Sequence, residues 1–137
     1  MSKSKPASTR VSTISDAAAA TAKAETFLAA ASTALDLGHT DVATSNAVHA
    51  GILAADSICT LRLGLRSTKH EHAADLLSTI PLDGNLLGVQ LARLLKHKTK
   101  AEYSTDSVSS IDAQNAVASA TRLVTKAITL LADHPTL

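Results

Sequence analysis

From Thr40 to Leu63 the apolar residues do not alternate as they would along a half-buried strand. Val42, His49, Ile52, Asp56, Cys59 and Leu63 recur mostly at spacings of three and four, which sets them on one face of an α-helix. A periodic segment of that length excludes a sheet at the centre of the chain. It also points His49 and Asp56, two ionisable groups, inward with the apolar stripe. Gly64 then supplies a stop, and a further helix opens with Arg66, His70 and His72 close to its start.

The flanking segments repeat the pattern. Ser15 or Asp16 is expected to cap a helix that runs to about Leu37 before Gly38, with Ala24, Phe27, Leu28, Ala31 and Leu35 on its apolar side. Thr40 and Asp41 offer the cap of the Thr40–Leu63 helix. Thr68 and Glu71 have the capping-box spacing for a short third helix ending near Thr79, before Pro81. Asp83 is placed to cap a fourth helix over residues 84–102, buried through Leu87, Leu91, Leu94 and Leu95. Ser109 and Asp112 start a last helix carrying Val117, Thr121, Val124, Ile128 and Leu131.

Five amphipathic helices on short links predict an all-α fold, an up-and-down antiparallel helical bundle over residues 15–134 with no strands. Phe27 and Tyr103 are the only aromatic residues among 137, so the core has to come from Ala, Leu, Ile and Val, which suits closely approaching helices. Residues 1–14, rich in Ser, Thr and Lys, lack an apolar period and are expected to form a flexible N-terminal tail.

Composition also removes several function classes. The single cysteine, Cys59, excludes an internal disulfide and reads as a small core residue. No apolar run is long enough to span a bilayer and no signal-peptide core follows Met1, so a cytoplasmic protein with no membrane association is expected. P-loop, GxGxxG, HExxH and GxSxG patterns are absent, and two aromatics leave no stacking platform for bases. His70 and His72 stand on different sides of a helix with no third ligand in register, so no metal and no cofactor is expected.

The remaining candidates are ionisable. His49 and Asp56 lie two helical turns apart, too far to touch, so each needs a partner on another element; Arg66, His72, Lys98 and Tyr103 are the candidates. The pair either fixes helix register or belongs to a binding site. Arg66 and His72, with five residues between them around a helix start, are placed to hold a phosphate and move a proton, the two tasks of metal-independent RNA cleavage, unless His72 merely packs. Residues 62–100 hold seven Lys or Arg against Glu71, Asp75 and Asp83. Lys96, Lys98 and Lys100 near the end of the fourth helix offer binding charge, and also complement the helix dipole. Lys98 and Tyr103 either line a pocket mouth or reach to solvent.

The order of these features resembles a known superfamily. HAGILAADS (His49 to Ser57), LGLRS (Leu63 to Ser67), HAADLL (His72 to Leu77), LARLLKHKTKAEY (Leu91 to Tyr103) and SSIDAQNAVASATRLV (Ser109 to Val124) are similar to the HEPN superfamily, and most similar to its small stand-alone actinobacterial type. The resemblance spans about residues 16–132. It implies an up-and-down bundle, often a homodimer, and for many members a ribonuclease, a toxin of a toxin–antitoxin pair or an RNA-processing module, whose motif is an Arg followed after four to six residues by His. Arg66 and His72 meet that spacing. Other members are non-catalytic bundles that bind a nucleotide or a partner protein, frequently a nucleotidyltransferase. RNA or a nucleotide is therefore the expected partner, with His49, Asp56, Lys96, Lys98 and Tyr103 as binding residues.

Overall fold

The computed structural model describes residues 8–134. Helix α1 spans Ile14–Asp36, α2 Thr40–Leu63, α3 His70–Ser78, α4 Gly84–Lys96, α5 Lys98–Tyr103 and α6 Ser110–Ala132. The fold is an all-α antiparallel bundle, accompanied by one small ribbon of strands β1 (Thr9–Val11) and β2 (Leu65–Ser67).

The ribbon corrects two expectations. Strands were not foreseen, and residues 9–11 were assigned to a tail; residues 1–7 of that tail lie outside the described residues. β1 pairs antiparallel with β2 in the register Thr9↔Ser67, Arg10↔Arg66 and Val11↔Leu65. Main-chain bonds extend the pairing, since Ser12 N donates to Gly64 O at 3.1 Å and Thr68 N to Ser8 O at 3.0 Å. All three β1 residues are exposed, so the segment is ordered by its backbone ladder and not by an apolar face. That is why a search for periodicity misses it.

Most helix ends obey local chemistry. Thr13, not Ser15 or Asp16, caps α1: Asp16 N donates to Thr13 Oγ1 at 3.2 Å and Thr13 N donates to Asp16 Oδ2 at 2.9 Å, a reciprocal box. Gly38 and Gly64 take φ of 77° and 71° at the ends of α1 and α2, the left-handed turn that glycine adopts without strain. Asp41 does not cap α2; its Oδ1 instead accepts from Val108 N at 2.8 Å, tying the α5–α6 loop to the start of α2. No Thr68–Glu71 box forms, because α3 begins at His70 after Lys69, and the turn is closed by Ser67 Oγ, which accepts from Lys69 N and donates to Lys69 O.

The helix expected over residues 84–102 is broken. His97 N donates to Leu94 O, three residues back, tightening the last turn of α4. The break redirects α5 so that Glu102 reaches α2, where its Oε2 accepts from Ser45 Oγ at 3.0 Å and lies 3.6 Å from His49 Nε2. Asp83 precedes α4 without a side-chain cap bond, and its Oδ2 is paired with Lys126 Nζ of α6 at 2.6 Å.

Helix α2 is the axis of the bundle, with every residue from Ala47 to Ser57 except His49 buried or half-buried and Ala47, Val48, Ala50, Ala54, Ala55 and Ile58 fully enclosed. The alanines let its neighbours approach. A Cβ on Gly51 would lie 2.5 Å from Leu94 Cδ1 and 3.5 Å from Leu123 Cδ1, which marks the close crossing of α2 with α4 and α6. Where α1 and α2 touch, Thr21 Oγ1 and Ser57 Oγ hydrogen-bond at 2.7 Å inside the core. Leu77, Leu91, Leu94 and Leu123 are wholly buried, each contributing about 1.5 to 3 kcal/mol of apolar burial.

Two stripes are rotated from expectation. On α2, Val42 is exposed and His49 faces solvent beside the Phe27 ring, at 5.3 Å between centroids. On α6 the buried face is Ala113, Ala116, Ala120, Leu123, Val124 and Ala127, leaving Thr121 and Ile128 outside. Alanine is the reason in both helices: it carries little apolar weight in a periodicity but fits the close contacts that larger residues cannot.

Candidate functional site

The ribbon, α1 and α2 enclose a cleft of about 780 Å³. Arg10 of β1 and Arg66 of β2 reach it from the ribbon, Asp16 and Lys23 from α1, and Asp56 and Thr60 from α2; Ala19, Ala20 and Leu53 provide an apolar wall. The register of the ribbon places Arg10 and Arg66 as direct cross-strand partners, on one face with Cβ atoms about 5 Å apart. Among the described residues no carboxylate lies within 4 Å of either guanidinium, and the ion pairs are His49–Glu102 and Lys126–Asp83.

The two acids of the cleft differ. Asp16 is exposed and held below the usual carboxylate range, first by the Thr13 backbone N–H, then by the Thr13 hydroxyl and more weakly by Arg66 and Ser12. Asp56 goes the other way: burial raises it to about 6, and Arg66 only partly offsets that. The same burial, with Asp56 nearby, pushes the Cys59 thiol up to about 12, so this cysteine is an inert core residue.

Arg66 and Asp56 thus line one cleft and interact electrostatically, without a direct ion pair. The structure does not bring the rest of the expected binding set to them. His49 belongs with Glu102 and Phe27, Lys98 is half-buried at the start of α5, and Tyr103 is 75 % exposed at its end. His72 does not line the cleft. It sits in the first turn of α3, half-buried, and its Nδ1 is buried without a hydrogen-bond partner, an arrangement uncommon enough in folded proteins to suggest use.

Lys96 falls in a second groove of about 480 Å³ between α4 and α6, lined by Arg93, Lys96, His97, Asn115, Ser119 and Arg122 and free of carboxylates. Arg122 Nη1 donates to Oε1 of buried Gln90 at 3.3 Å, which fixes the guanidinium at the rim. Neither Arg122 nor Arg10 stood among the candidate site residues of the sequence. Arg122 lies next to Thr121 but off the stripe assigned to α6, and Arg10 lay in a supposed tail. Among the described residues no group of three or more His, Cys, Asp or Glu is placed to hold a metal ion, and no helix is long and apolar enough to cross a membrane.

The HEPN domain model matches residues 17–129, and the chain belongs to the HEPN domain family. No curated protein matches it. β1, and with it Arg10, precedes the matched span.

Proposed function

We propose that this HEPN protein acts on RNA as a metal-independent ribonuclease, with Arg66 holding the phosphate and His72 serving as the proton-transferring group. What carries the reading is the unpartnered pair: an arginine with no carboxylate within 4 Å and, six residues on, a half-buried histidine whose Nδ1 has no hydrogen bond. A neutral imidazole with a free nitrogen can take the proton of a ribose 2′-hydroxyl, and the guanidinium can stabilise the charge that builds on the phosphorus-bound oxygens. The carboxylate-free groove at Lys96 would supply binding charge for the strand, with affinity falling as salt rises. A place in a toxin–antitoxin pair in the cytoplasm, with a nucleotidyltransferase as partner, and a homodimer whose interface uses the exposed stripe Leu82, Leu86 and Val89, fit the same reading.

The test is incubation of the purified chain with total RNA in EDTA beside an Arg66→Ala, His72→Ala double variant. Cleavage by the wild type alone is the expected result. RNA left intact by the wild type overturns it.

A second reading is favoured by the cleft, which joins Arg66 to Asp56 but leaves His72 out. In it the bundle is a non-catalytic module that binds a nucleotide or a partner protein. It expects a binding isotherm with no cleavage.

A further inference from the structure

We propose that the cleft between the ribbon, α1 and α2 binds a nucleoside monophosphate, whose phosphate sits between Arg10 and Arg66 and whose body lies against the apolar wall of α1 and α2. The choice of a nucleotide rests on the RNA and nucleotide reading above; the anion site rests on the geometry alone.

Three independent observations converge there. The first is the ribbon itself, whose central pair is two arginines directly across from each other and both directed into the cleft. Like charges at that position oppose strand pairing, and no carboxylate within 4 Å relieves them. A dianionic phosphate between two guanidiniums would convert the repulsion into two charge-assisted hydrogen-bonding sets. Lys23 adds a third cation on the α1 side.

The second is Ser12, which also lines the cleft. It is only 7 % exposed, and its Oγ is buried with no hydrogen-bond partner. Its influence on Asp16 is the weakest of those acting on that carboxylate and is not a formed bond. A buried hydroxyl left without a partner costs free energy, and a ligand oxygen in the cleft would satisfy it.

The third is the way the acids of the cleft are withdrawn from competition. Asp16 faces Arg66 but is committed to the Thr13 capping box, and Asp56 is largely desolvated. With Asp56 protonated the cleft carries three cations against one carboxylate, and the neutral carboxyl can both donate to and accept from a base edge. The volume of about 780 Å³ falls in the range of small-ligand pockets.

Arg10, half of the arginine pair, lies before the span matched by the family model. Arg66 belongs to both proposals, and His72, which does not line the cleft, is the residue that separates them.

The experiment is calorimetric titration of the full chain with adenosine 5′-monophosphate, adenosine and inorganic phosphate, at pH 5.5 and pH 7.5 in EDTA. Adenosine 5′-monophosphate should bind more tightly than either fragment, and more tightly at pH 5.5, where Asp56 is neutral. Arg10→Ala, in an exposed strand outside the core, should weaken it at least tenfold with an unchanged helical circular-dichroism spectrum. His72→Ala should bind as the wild type does, so loss of RNA cleavage with retained binding separates the two proposals. Failure of adenosine 5′-monophosphate to bind at millimolar concentration, or equal affinity in Arg10→Ala, overturns the site. Inorganic phosphate binding as tightly as the nucleotide overturns the assignment of the nucleoside.

Discussion

Arg10 and Arg66 stand directly across from each other at the centre of a three-pair ribbon, and no carboxylate of the described residues lies within 4 Å of either. The relationship is unfavourable for the ribbon in isolation. A cross-strand pair of opposite charge is worth roughly 0.2 to 1 kcal/mol, and a like pair opposes association. Arg10→Glu should therefore raise the urea midpoint of the ligand-free protein, by an amount that shrinks in high salt. An unchanged or lowered midpoint would show that the two guanidiniums do not repel in solution.

Asp56 gives stability a pH dependence of a definite sign. Its folded value of about 6 exceeds the ordinary aspartate value of 3.8, so the folded state holds the proton more tightly than the unfolded state. The contribution is fully present below pH 3.8 and is lost as pH rises through 6. Over that interval it amounts to about 3 kcal/mol. Asp56→Asn should flatten this slope, matching the wild type near pH 4 and exceeding its stability at pH 7.5. Parallel stability curves for the two proteins would refute the assignment.

The hydroxyl pair of Thr21 and Ser57, at 2.7 Å in the α1–α2 contact, should behave as a unit. Ser57→Ala leaves the Thr21 hydroxyl buried without a partner and should cost about 1 to 3 kcal/mol. Adding Thr21→Val to that variant should restore part of the loss. A double variant no more stable than the single one would mean that packing, not the hydrogen bond, accounts for the cost.

Two glycines with similar surroundings should respond differently. A Cβ on Gly84 would sit 2.5 Å from the Leu77 carbonyl oxygen and 3.1 Å from Ile80 Cβ, neither of which can rotate away; on Gly51 the 2.5 Å obstacle is a leucine methyl. Gly84→Ala should lose about 1 to 3 kcal/mol. Gly51→Ala should lose less, because alanine regains about 1 kcal/mol of helix propensity in mid-helix. Thermal melts of the two variants decide the order.

Elements with a strong local signal were legible before the structure. Gly38 and Gly64 marked the ends of α1 and α2, and Ser109 the start of α6. What escaped was set by tertiary context. The run from Arg93 to Tyr103 keeps a helical composition across His97, so the break that turns Glu102 toward Ser45 and His49 leaves no trace in residue type. The faces of α2 and α6 were misjudged because leucine, isoleucine and valine were weighted above the alanines that form the close contacts. Arg66 and Asp56 were legible as candidates, and both line the cleft. Arg10 was not, since a three-residue strand is too short for a period and its partner lies more than fifty residues away.

The ribbon joins the first described residues to the far end of the α1–α2 hairpin, so the cleft has no floor until both helices have formed and folded back. During synthesis, β1 leaves the ribosome well before its complement and waits through the whole hairpin for Arg66 to arrive. A ligand bound between the arginines would then recognise only chains whose hairpin is complete, adding its binding free energy to that state alone. Occupancy of the cleft would become a readout of finished folding.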